Sequence, residues 1–196
     1  MQPFFSRTQL RRLPAIVGLL VATFSTAFAQ APAPAPLQTP NPHYVAIPLE
    51  IAVSRPAAEV WKRVGKYCDI EEWLQVSCVI TAGKDGEFGA VRSLRNGAVI
   101  EILVAKTALS YTYTQPVREG QRYNLYHGTV EAVPVSASTS KLVYTLVFDN
   151  SMLADDAARE KDIQQRTAQF KRALNNMKTI TEGGTLPPPA AGAPGR

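Results

Sequence analysis

The stretch "VSRPAAEVWKRVGKYCDIEEW", residues 53–73, decides how the rest of the chain is read. It follows the partly alternating apolar run "HYVAIPLEIAVSR", which predicts a first strand. Pro56 suits the first turn of a helix, where its missing N–H would be unpaired anyway, and Ser54 is placed to cap that turn. Val60, Trp61 and Val64 give the helix an apolar side, and Gly65 can end it. "DIEEWL" allows one more helical turn, with Asp69 as its cap and Glu71 and Glu72 near its positive end. One strand followed at once by a short helical pair is thus the first element of the fold.

From Val76 the pattern turns to strands separated by tight turns. "QVSCVITAG" runs into Lys84-Asp85-Gly86, and "EFGAVRSLR" into Asn96-Gly97. Asp-Gly and Asn-Gly are both strong hairpin signals, and the second predicts the positive φ angles of a type I′ turn. "AVIEILVA", "LSYTYTQPV", "RYNLYHGTVEAVPV" and "KLVYTLVFDN" follow, which predicts six successive strands in an antiparallel meander. After Asp149 the period becomes helical: Ile163, Phe170, Leu174 and Met177, with Thr167 between, recur every three or four residues. Asp155 and Asp156 lie near the start of this helix and Lys171, Arg172 and Lys178 near its end, as its dipole prefers. Gly183-Gly184 stops it. Leu142, Tyr144, Leu146 and Phe148 share one strand face that needs a cover, and the C-terminal helix is the only large cover available.

The two ends have a different composition. Residues 1–29 carry Arg7, Arg11 and Arg12, then a mostly apolar run, then Ala27-Phe28-Ala29 as a small-x-small site, the order of a secretory signal peptide. The alternative, a membrane anchor, is disfavoured by the short run and by Pro14, Thr23, Ser25 and Thr26. Residues 30–43 form an Ala/Pro linker, 44–181 the domain, and 182–196 a Pro/Ala/Gly tail expected to be disordered. The full chain has 21 basic and 16 acidic residues; removing the three leader arginines leaves 18 against 16, a formal charge of +2. No basic block with interleaved aromatics remains, which argues against nucleic-acid binding. A periplasmic or secreted location follows from the leader, with no stable membrane anchor after its cleavage.

The stretches "VSRPAAEVW", "CDIEEW", "AVRSLRNGAVIEILV" and "YTLVFD" resemble the START-related, birch-pollen-allergen-like superfamily (SRPBCC), in particular its polyketide cyclase/dehydrase and lipid-transport-like members. The resemblance covers Val45 to about Ile180. It implies an α+β helix-grip fold: a seven-stranded curved antiparallel sheet around a long C-terminal helix, with two short helices after strand 1. It also implies an internal cavity for an apolar or amphipathic small molecule. Some relatives are cyclases or aromatases, and others carry lipids, hormones or sterols. The frequent W-x-P of the family is replaced here by Trp73-Leu74-Gln75.

Cys68 and Cys78 are the only cysteines, and in an exported chain an even pair is most simply a disulfide. Two separately buried thiols are the alternative. A redox-active pair is disfavoured because the spacing is not C-x-x-C, and with only His43 and His127 besides, metal binding has little support. Glu101 interrupts an apolar run at a place where the family carries a recurring Glu. Facing a cavity, it is a candidate general acid/base or polar ligand anchor, unless Arg92, on the strand across the Asn-Gly turn, pairs with it and holds it ionised. Facing outward, it pairs with Arg92 or Arg95 across strands; alternation favours this, since it gives Ile100, Ile102 and Val104 the other face. The expected cavity wall is Trp73, Arg92, Tyr111, Tyr113, Tyr126, Tyr144, Phe148 and Phe170. No phosphate loop, dinucleotide fingerprint or Ser-His-Asp order is present, so no cofactor is expected. The leading expectation is an exported protein holding a hydrophobic or amphipathic, lipid- or polyketide-like ligand. The alternatives are a cyclase- or dehydratase-like enzyme using Glu101, or an interaction domain whose cavity is filled by its own side chains.

Overall fold

The computed structural model describes residues 41–117 and 123–188. The expected signal peptide, most of the linker and the end of the tail lie outside the described residues. The elements in chain order are β1 (Tyr44–Val53), α1 (Ala57–Val64), α2 (Ile70–Trp73), β2 (Cys78–Ala82), β3 (Val91–Leu94), β4 (Val99–Lys106), β5 (Ser110–Thr114), β6 (Asn124–Pro134), β7 (Ser140–Asp149) and α3 (Asp156–Thr181). All seven strands form one sheet in the order β1-β7-β6-β5-β4-β3-β2, each pair antiparallel. Pro48 is tolerated in β1 because that strand is an edge with a neighbour on one side only.

The inner sheet face and α3 share one core. β7 contributes Leu142, Tyr144, Leu146 and Phe148, all fully buried, and α3 meets them with Phe170, Leu174 and Met177. At 26 residues, α3 is about 39 Å long, enough to lie along the sheet and also reach both short helices. Its start is set by Asp155, whose carboxylate accepts from Ala158 N at 2.7 Å. The chain entering β1 is pinned to the end of β7: His43 N donates to Asp149 Oδ1 at 2.8 Å, and His43 Nδ1 lies 2.7 Å from Asn150 Oδ1. Ser151 Oγ donates to Asp149 rather than to His43, so these three side chains do not form a nucleophilic triad.

Several local expectations are corrected. Asp85-Gly86 does not join two strands directly: β2 ends at Ala82, β3 begins at Val91, and Asp85-Gly86 is one turn inside the long connection between them. Gly83, Gly86 and Gly89 all take positive φ there, and Gly89 N donates to Leu103 O, so the end of the loop already pairs with β4. The Asn96-Gly97 turn is wider than the two-residue type I′ form, because Arg95, Asn96 and Gly97 all have positive φ and the first paired residues are Leu94 and Val99. Arg95 N and Asn96 N both bond to Ser77, which holds this turn against the start of β2. Ser54 does not cap α1; the cap position is Pro56, and Ser54 N instead donates to Glu182 Oε1. Asp69 reaches backward to Lys66 N rather than forward into α2. The tail is not without partners through Pro188: Leu186 packs against the core, and Gln75 Nε2 donates to Pro187 O at 2.8 Å.

Candidate functional site

The centre of the grip is polar. Arg92 of β3 is completely buried and lies directly across the register from Glu101 of β4. Its Nε donates to Glu101 Oε2 at 2.8 Å, and a terminal amino nitrogen is 2.6 Å from the same oxygen. The other amino group donates to the carbonyl of Tyr67. The guanidinium carbon lies 4.0 Å from the centre of the Tyr67 ring and 5.0 Å from that of Tyr113. Burial works against the Arg92 charge, but the Glu101 carboxylate and the nearby phenols outweigh it and hold the group well above its usual value.

Glu101 therefore faces inward, and the outward assignment from alternation is overturned. Glu101 and Leu103 take the inner face of β4, leaving Ile100, Ile102 and Val104 half-buried on the outer one. The physical reason is the partner: a fully buried guanidinium demands a buried anion, whereas apolar side chains are tolerated on an outer face. The second Glu101 oxygen accepts from Gln115 Nε2 at 2.9 Å, and Gln115 Oε1 accepts from the Tyr123 hydroxyl. The result is one polar chain from Tyr67 O through Arg92, Glu101 and Gln115 to Tyr123.

Rings surround that chain. The Tyr113 and Tyr144 hydroxyls are 2.8 Å apart. Tyr113 lies flat on β6 because Gly128 opposes it; a Cβ there would come within 2.3 Å of the ring. Tyr126 stacks on Phe148 with centroids 5.8 Å apart, and Trp73 meets Tyr144 edge-on. Burial raises the pKa of Tyr67, Tyr111, Tyr113, Tyr126 and Tyr144 above the ordinary phenol range, so these groups stay neutral.

Beside this polar chain lies a pocket of about 240 Å³. Its wall comes from α2 and the residue after it (Ile70, Leu74), the β3–β4 corner (Leu94, Arg95, Val99, Glu101), β5 and its end (Tyr113, Gln115), β6 and the residue before it (Tyr123, Tyr126) and α3 (Arg166, Gln169, Phe170). Of the expected wall residues, Tyr113, Tyr126 and Phe170 line it. Trp73, Arg92, Tyr144 and Phe148 do not; they are buried and fill much of the space between sheet and helix, and Tyr111 lines a separate hollow of about 270 Å³ with Trp61 and Lys106. Sequence reasoning missed Tyr67, Gln115, Arg95 as a wall residue and Arg166. Arg166 is an isolated cation beside the apolar stripe of α3, and that position was the available signal. A larger hollow of about 450 Å³ lies between the short helices and the tail, but no aromatic ring or buried charge faces it.

Residues 45–182 match the family described as polyketide cyclase / dehydrase and lipid transport. The chain belongs to this family. The polyketide cyclase/dehydrase and lipid-transport family suggests a protein that binds a small hydrophobic molecule or acts in a cyclase-like way. Among solved structures, the Zhui aromatase/cyclase from Streptomyces sp. R1128 is 18% identical, with a TM-score of 0.59 over 73% of this chain and 100% of that one. A solution structure from Thermobifida fusca is 24% identical, with a TM-score of 0.59 over 69% and 92%. Truncated norcoclaurine synthase from Thalictrum flavum is 10% identical, with a TM-score of 0.56 over 74% and 98%. At these identities the likeness establishes the helix-grip fold alone. No curated protein matches the chain.

Cys68 and Cys78 form a disulfide with Cα atoms 5.7 Å apart, joining the turn before α2 to the start of β2. Such a bond fits an extracellular location. No helix among the described residues is long and apolar enough to cross a membrane.

Proposed function

We propose that this is an exported binding protein that holds a small hydrophobic or amphipathic molecule in the pocket beside Tyr113, Tyr123, Tyr126 and Phe170. The observation that carries this reading is the state of Glu101. It is the one carboxylate among the residues lining the pocket, and both its oxygens are engaged, one by Arg92 and the other by Gln115. A group so held anchors a wall; it is poorly placed to exchange a proton with a substrate. The cyclase- or dehydratase-like alternative with Glu101 as acid/base is therefore the weaker one. Export is supported by the leader-like order of residues 1–29 and by the disulfide.

The size of the pocket narrows the ligand. Drug-sized molecules usually occupy about 300–1,000 Å³, so about 240 Å³ suits one or two rings better than a long acyl chain. Native mass spectrometry of protein purified from its source, followed by a thermal-shift screen of ring compounds and lipids, tests the reading. A co-purified small molecule, or stabilisation by ring compounds, is the expected result. No bound molecule and no shift with any compound would overturn it.

A further inference from the structure

We infer that the ligand of this pocket is a monoanion, a ring compound whose acid group is held by Arg95 and Arg166. The inference rests on the reading of the pocket as a ligand site and adds the charge of what enters it. Three arginines stand in or directly behind the wall, and among the described residues two carboxylates answer them. Arg92 is matched by Glu101. Arg166 is matched on one side only: its Nε donates to Asp162 Oδ2 at 3.0 Å, one helical turn back along α3. Its terminal amino groups have no hydrogen-bond partner among the described residues, and Arg166 itself lines the pocket. Arg95 also lines the pocket and has no ion-pair partner among the described residues. Among the described residues, one positive charge is left over at this concave site.

The same guanidinium fixes where the ring would lie. The Arg166 carbon is 4.6 Å from the Tyr123 ring centre, 4.7 Å from that of Phe148 and 5.3 Å from that of Tyr126. Arg166 is thus held on aromatic faces, and only a fifth or less of its side chain is exposed. A guanidinium whose plane and position are already set loses little freedom when it meets a carboxylate, and it offers two parallel donors to it. Tyr113, Tyr126 and Phe170 then offer faces and edges to an attached ring. Helix α3 and the β3–β4 corner would together read the acid, and the β5–β6 side would read the ring.

Three probes with the same fused ring system test this: naphthalene carboxylate, naphthalene carboxamide and naphthylmethylammonium, titrated by calorimetry into the full disulfide-bonded protein at low salt. The carboxylate should bind about tenfold more tightly than the amide, as a charge-assisted contact predicts. The ammonium should bind worst, and added salt should shrink the difference. Arg166→Gln should weaken the carboxylate more than the amide and so narrow the gap between them. Arg95→Gln should narrow the gap in the same direction. Equal binding of carboxylate and amide, or a gap that both variants leave intact, overturns the charge inference but leaves a ligand pocket standing. No binding of any of the three overturns both.

Discussion

Arg92 and Glu101 form a buried pair whose two halves depend on one another. Taking one away leaves the other as an uncompensated charge in a ring-lined interior, at a cost of about 3–5 kcal/mol. Glu101→Gln is therefore expected to lower the melting temperature by roughly 10 °C. Replacing both residues by leucine should cost less than either single change, because no unpaired charge remains. Thermal denaturation of the three variants checks this, and a Glu101→Gln protein that melts with the parent would refute the pairing. At this scale the sequence was only partly legible. The partners Arg92 and Glu101 could be named from their places across one turn. Which way they pointed could not, because alternation along β4 separates two faces without saying which is inner.

At the scale of elements, the most consequential bond is the Cys68–Cys78 disulfide. It closes a sequence separation of 10 residues, a constraint worth about 2.5–3 kcal/mol. It also stands next to Tyr67, whose carbonyl accepts from Arg92. Reducing the bond should therefore do more than lower stability: it should free the helical pair and loosen the polar chain that ends at Tyr123. Hydrogen exchange compared with and without reductant should show faster exchange in residues 66–78, with the β6–β7 pairing unchanged. Uniform exchange across the sheet would argue that the disulfide constrains the unfolded chain alone.

The strands, the short helices and α3 could all be read from period and punctuation, since these signals are local. The connection between β2 and β3 could not, because its end is taken over by pairing of Gly89 and Ala90 with Leu103, a partner far along the chain. The turn at Asn96-Gly97 departs from the type I′ form for a similar reason: Ser77 holds it from outside.

Across the whole molecule, five buried phenols stand among the aliphatic and aromatic side chains that fill the core. Tyr67, Tyr111, Tyr113, Tyr126 and Tyr144 all have pKa values raised by burial. A phenol raised in the folded state contributes stability that is intact below its unfolded value of about 10 and is lost as pH climbs past it. These five groups should accordingly ionise together with unfolding, above pH 10, in one cooperative step. Phenolate absorbance followed beside far-ultraviolet circular dichroism checks this; a rise equivalent to more than two of the seven tyrosines while the ellipticity holds would show that the buried rings are accessible in the native state.

The order of elements, the family and the cysteine pair were determined by the sequence alone, because each depends on local pattern or on a count. Tertiary structure alone decided that Glu101 turns inward, that five of the eight expected wall residues do not line the pocket, and that Arg95 and Arg166 reach it. The physical reason is common to all three. A side chain's environment is set by what packs across from it on other strands and on α3, and no periodicity within one element carries that information.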